Sequence, residues 1–153
     1  MTFPLMGPCR AIALFLAAAN LCTVPAAVQK EIIRRFPGYR LPASSEGAKQ
    51  DDHCQYVVRA DFDCNKMDDY ALLIEHKETG RVLLVTSLAS KKGNLIEIHR
   101  IGNLGAIAAA HLVLVPPPKV KGASRCRAVA FGDQVLYRAG NEWRVGNPGA
   151  GKP

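Results

Sequence analysis

Short connections constrain this chain more than any other feature. From Gln55 onward, apolar runs rich in Val, Leu, Ile and Tyr alternate with brief turn segments. Strands are predicted over Tyr56–Ala60, Tyr70–Glu75, Arg81–Ser87 and Asn94–Ile101, separated by Asp61–Asp69, His76–Gly80 and Ser90–Gly93. A crossover to a parallel neighbour takes about a dozen residues or more, so links this short force antiparallel pairing. Ile96 and Ile98 alternate with Glu97 and His99, the period-two signature of a strand with one wet face. Further strands are predicted at Leu112–Val115, Arg127–Phe131, Gln134–Arg138 and Glu142–Val145. Gly132-Asp133 and Ala139-Gly140-Asn141 form the turns between the last three. Tyr137 and Trp143 flank the second of these turns and are expected to pack across it.

One helix precedes the strands. Val28, Ile32 and Phe36 recur at four-residue spacing over Ala27–Phe36, with Lys30, Glu31, Arg34 and Arg35 between them, and Pro37-Gly38 ends the pattern. The fold class is therefore α+β: an antiparallel β-meander with one short N-terminal helix packed on it. Residues Ala43–Asp52 read as a polar surface loop, and Gly102–Ala110 fits a loop or a short helix equally.

The chain has 153 residues, and its first 26 are organised as an export leader. Arg10 precedes the uncharged run Ala11–Ala19, which is too short for a stable membrane anchor, and Val24-Pro25-Ala26 supplies small residues for cleavage. Ala17 and Ala19 form an alternative small pair, placing the cut after Ala19. The expected organisation is a signal peptide over 1–26, a single β-rich domain over 27–146 and a Gly/Pro-rich tail over 147–153. Such a chain is periplasmic or secreted, with no stable membrane anchor after cleavage.

Export bears on the cysteines, at positions 9, 22, 54, 64 and 126. Cleavage after Ala26 leaves Cys54, Cys64 and Cys126, for which one disulfide and one spare thiol is the simplest outcome. An extended Tyr56–Ala60 carries Cys54 away from Cys64. That favours Cys126 as partner for one of them without deciding which.

Net charge is +7 counting Arg10, and basic and acidic residues are interleaved along most of the chain. A local excess at Lys119, Lys121, Arg125 and Arg127 follows Pro116-Pro117-Pro118 and reads as a solvated loop. Without aromatic residues interleaved in a basic groove, no nucleic-acid partner is expected. Catalytic signatures are equally sparse. His53, His76, His99 and His111 lack zinc-ligand spacing, and there is no Gly-x-Ser-x-Gly, phosphate loop or dinucleotide fingerprint.

One segment carries recognisable chemistry. Asp61-Phe62-Asp63-Cys64-Asn65-Lys66-Met67-Asp68-Asp69 places oxygen side chains at loop positions 1, 3, 5 and 9, with the Met67 carbonyl at position 7. Calcium takes six to eight oxygens at about 2.4 Å, and alternate positions on a tight loop wrap such an ion. Four carboxylates within one loop also repel each other, a cost that a cation relieves. Position 12 is Leu72 rather than a bidentate Glu, so the segment is no EF-hand.

With the following Asp69-Tyr70-Ala71-Leu72-Leu73-Ile74 and the preceding Val57-Val58-Arg59-Ala60, the segment resembles the calcium loop of FG-GAP/VCBS-type repeats in small exported bacterial proteins. The resemblance implies a loop joining two antiparallel strands, with Asp61, Asp63, Asn65 and Asp69 as side-chain ligands and Met67 as a carbonyl ligand. This chain departs from the pattern where glycines are usual, at Cys64 and at Lys66. A non-glycine residue in the left-handed turn costs roughly 1 kcal/mol or more, and the Lys66 ammonium weakens cation binding. The functional expectation is an exported, non-enzymatic binding domain with a calcium-stabilised loop and an unidentified protein partner. An envelope enzyme inhibitor or immunity-type protein is the alternative, and a small secreted hydrolase the third reading.

Overall fold

The computed structural model describes residues 23–42, 54–99 and 110–147. The first 22 residues, the polar segment 43–53, the ambiguous segment through residue 109 and the tail from 148 lie outside the described residues. The α+β expectation holds: among the described residues one helix, α1 (Ala26–Arg35), accompanies antiparallel strands. These strands form two sheets rather than one.

The first sheet contains β1 (Tyr39–Arg40), β2 (Val57–Ala60), β3 (Asp69–His76), β4 (Val82–Ser90) and β5 (Gly93–His99). β3 pairs with β4 along one edge, and with β2 and β1 in succession along the other. The second sheet is a simple meander of β6 (Val113–Val115), β7 (Ala128–Phe131), β8 (Gln134–Ala139) and β9 (Glu142–Gly146). β1 has no signature in the sequence, because two residues carry no period. It exists because Gly38 turns the chain back onto β3 with φ +87°, where a side-chain carbon would meet His76 Nε2 at 2.8 Å. The Gly38 carbonyl then accepts from Lys77 N at 2.8 Å, locking the turn.

Layering explains the composition of β3. Its Tyr70–Ile74 run is buried on both faces. One face carries Tyr70, Leu72 and Ile74, which pack with Val85 and Ile96 against Val28 and Ile32 of α1. The opposite face carries Ala71 and Leu73, which pack with Leu84 and Leu88 against Val129, Phe131 and Leu136 of the second sheet. A strand covered on both sides reads as a continuous apolar run, not an alternating one. The order is helix, sheet, sheet, with two separate cores. Burying one Leu or Ile side chain contributes about 1.5–3 kcal/mol, so most of the stability resides in these two seams.

α1 is anchored by its apolar stripe and trimmed by charge. Glu31 accepts from Arg34 and Arg35, both at 2.6 Å. Hydrogen bonds from Arg34 first, then Arg35, hold its carboxyl at about 2, below the ordinary 4.5. A folded-state value below the unfolded one adds stability above pH 4.5 that is lost as pH falls through about 2. Glu31→Gln is therefore expected to lower Tm slightly at neutral pH, because the pair is solvent-exposed. The difference from wild type should shrink to nothing in acid scans approaching pH 2.

The expected packing of Tyr137 on Trp143 is corrected. Tyr137 is opposite Arg144, whereas Trp143 is opposite Arg138, so the two aromatics occupy different faces of the hairpin. A one-residue difference in register moves a side chain to the other face. Trp143 instead packs edge-on against Phe62 at 5.7 Å, with the Arg138 guanidinium 5.4 Å from its ring centre. Arg138 is only 6% exposed, and its Nε and Nη1 have no hydrogen-bond partner among the described residues. Contact with an aromatic face recovers part of the cost of burying that cation.

Candidate metal centre

The acidic loop connects β2 to β3 as an antiparallel hairpin, closed by the Ala60–Asp69 pair. Residues Cys64 and Lys66 both adopt left-handed backbone, with φ of 65° and 67°. These are positions 4 and 6 of the loop. The backbone thus turns twice against the preference of L-residues. Each turn costs roughly 1–2 kcal/mol when a side chain is present.

Side-chain oxygens hold that shape. Asp61 Oδ1 accepts from Asn65 N at 3.1 Å, and its Oδ2 accepts from Lys66 N at 2.8 Å. Asp63 Oδ1 shares the Asn65 N–H at 3.2 Å. Asn65 Oδ1 accepts from Met67 N at 2.7 Å, while its Nδ2 donates to Asp63 Oδ2 at 3.2 Å and to the Ala89 carbonyl at 2.7 Å.

Asp61, Asp63 and Asp69 each offer one oxygen, and the three atoms lie within 4.8 Å of one another. Ligands on a calcium shell of radius about 2.4 Å are at most about 4.8 Å apart, so the trio fits a single coordination sphere. This cluster could hold a metal ion. Of the other candidate ligands, Asn65 turns its amide nitrogen toward Asp63, and Met67 is an exposed residue.

Asp69 differs from its two companions. It is fully buried, its Oδ2 accepts from Phe62 N at 2.8 Å and its Oδ1 accepts from Ala89 N at 2.8 Å. Burial pushes its carboxyl above the usual aspartate range, opposed by those two backbone N–H groups and reinforced by the charges of Asp63 and Asp61. An ionised Asp69 is therefore held in place by the backbone at an electrostatic cost that a nearby cation offsets. Arg59 pairs with Asp68 at 3.7 Å and leaves the three converging acids aside.

A disulfide staples this loop to the second sheet. Cys64 bonds Cys126, which precedes β7, and Cys64 Sγ lies 3.2 Å from Ser124 Oγ. Ser124 Oγ also accepts from Cys126 N at 3.1 Å, and Ser124 N donates to the Arg138 carbonyl at 2.7 Å. The spare thiol expected from the sequence is absent from the described residues, because Cys54 is also disulfide-bonded.

Sequence reasoning missed Ala89 and Ser124. Ala89 contributes backbone groups from β4 and Ser124 a hydroxyl from the loop before β7, both distant in the chain, and no local pattern marks such a role. The four basic residues after the proline triplet are all exposed, as a solvated loop requires. Between that loop and the outer face of the second sheet lies a groove of about 610 Å³, walled by Val115, the prolines, Val135 and Tyr137, with Lys119 at its rim. No helix among the described residues is long and apolar enough to cross a membrane. No known protein family, curated protein or solved structure matches this chain.

Proposed function

We propose that this chain is an exported, non-enzymatic interaction domain whose Asp61–Asp69 loop holds a structural calcium ion. The observation that carries the reading is the convergence of Asp61, Asp63 and Asp69 oxygens on a loop with left-handed turns at Cys64 and Lys66. An all-oxygen donor set favours a hard cation over zinc or copper. The proposed ligands are the three aspartates, the Met67 carbonyl and Asn65 after rotation of its amide. The ion would stiffen the β2–β3 turn and take up the repulsion stored there. Export is supported by the Cys64–Cys126 disulfide, which suits an oxidising compartment. An interaction role is supported by the apolar groove beside the proline triplet and by exposed Val113 and Leu114 on edge strand β6.

Thermal unfolding in calcium and then in chelator tests the reading. Ligand at 100 times its dissociation constant stabilises by about 2.7 kcal/mol, and millimolar calcium is the relevant range for extracellular modules. Asp63→Asn should abolish that shift while leaving the metal-free Tm close to wild type, since Asp63 is only partly buried. Lys66→Gly should raise the metal-free Tm by relieving a strained φ, and should tighten calcium binding by removing an ammonium. Identical melts in calcium and chelator, for both wild type and Lys66→Gly, would sink the proposal.

A further inference from the structure

Core packing begins upstream of the helix. Val24 is 3% exposed and belongs to the same cluster as Val28, Ile32, Tyr70 and Leu72, while Thr23 and Pro25 on either side are exposed. Gln29 Nε2 donates to the Val24 carbonyl at 2.6 Å, and Gln29 N donates to the Pro25 carbonyl at 3.0 Å. A cut after Ala26 removes the Val24 side chain from the core and both carbonyls from the first turn of α1.

Cysteine chemistry points the same way from a separate observation. Cys64 and Cys126 are bonded to each other, and Cys54 is disulfide-bonded as well. With five cysteines in the chain, only Cys9 and Cys22 remain for Cys54. Cys9 precedes the apolar run Ala11–Ala19 and departs with it wherever the cut falls downstream. A chain beginning at Ala27 would hold an odd number of cysteines and could not oxidise them all internally.

We propose that the leader is cleaved after Ala19 and that the mature chain, beginning at Asn20, keeps Cys22 as the disulfide partner of Cys54. Ala17 and Ala19 supply the small residues that a leader peptidase requires. Water adds across the Ala19–Asn20 peptide bond, leaving a carboxylate on Ala19 and an amine on Asn20. The Cys22 and Cys54 thiols then lose two protons and two electrons to a thiol–disulfide oxidase of the export compartment, whose own disulfide becomes a dithiol. The bond would fasten the stretch leading into Val24 to the segment entering β2. This inference rests on the export half of the proposed function and is independent of the cation.

The full chain, expressed with its own leader in a Gram-negative bacterial host, is recovered from the periplasm. It is then analysed by N-terminal sequencing, by intact mass after N-ethylmaleimide, and by non-reducing peptide mapping. The expected result is an N-terminus at Asn20, no maleimide before reduction, labelling of Cys22, Cys54, Cys64 and Cys126 after it, and a Cys22–Cys54 linked peptide. Ala19→Arg should leave an uncut precursor, whereas Ala26→Arg, at an exposed position, should not. An N-terminus at Ala27, maleimide on Cys54 without reductant, or a lipid on Cys22 would each overturn the proposal while leaving export intact. An uncut wild-type chain retained in the cytoplasm would overturn both.

Discussion

Replacing Cys64 and Cys126 together by serine is expected to cost about 4 kcal/mol of stability. The bridge spans 62 residues, and cross-linking a loop of that size removes roughly that much chain entropy from the unfolded state at 25 °C. For a domain of this size the loss corresponds to a fall in Tm of about 10–20 °C. The bond joins the β2–β3 loop of one sheet to the segment before β7 of the other. Its removal frees two layers that also meet through the Leu73, Leu84, Val129 and Leu136 seam and through the Phe62–Trp143 contact. It also releases Cys64 from a left-handed conformation that the rest of the loop must then maintain alone. The double variant should therefore show a smaller calcium-induced shift than wild type. Calorimetry with and without calcium reads both effects. A loss below about 1 kcal/mol would mean that the apolar seam suffices and that the unfolded-state account fails here.

The second large effect is expected at Asp69. Asp69→Ala leaves the Phe62 and Ala89 N–H groups without their acceptors, in a position that has no exposure to water. Each stranded donor costs about 1–3 kcal/mol, and relief of the buried charge returns part of that, so a net loss of about 2–4 kcal/mol follows. Phe62 magnifies the result, because the same hydrogen bond seats its ring in the core against Trp143. Asp69→Asn should fall between wild type and alanine, since an amide replaces one of two acceptor oxygens with a donor. The contrast with Asp63→Asn is informative. Asp63 should matter only when calcium is present, whereas Asp69 should matter in chelator as well. Equal chelator-phase Tm values for Asp69→Ala and wild type would show that backbone N–H groups at this site find other partners.

Much of this architecture is legible in the chain itself. Turn segments such as Gly132-Asp133 and His76–Gly80 are too short for anything but antiparallel neighbours, and β4, β5, β7 and β8 follow from them. The helix was equally clear, since Val28 and Ile32 at four-residue spacing define the buried stripe. At the candidate site, the alternation of Asp61, Asp63 and Asn65 marked the loop, whose left-handed positions are Cys64 and Lys66. What did not show was Asp69's division of labour, because its two backbone donors come from Phe62 and from Ala89 in another strand.

Local patterning by itself determined the elements, their antiparallel sense and the acidic bend, because period, turn chemistry and link length act between residues close in the chain. Tertiary structure alone decided that the strands divide into two sheets, that Tyr137 and Trp143 occupy opposite faces, and that Cys64 bonds Cys126. The first and last depend on which apolar faces meet between segments distant in the chain, and the second on the register in which the last hairpin closes, which no period or turn residue specifies.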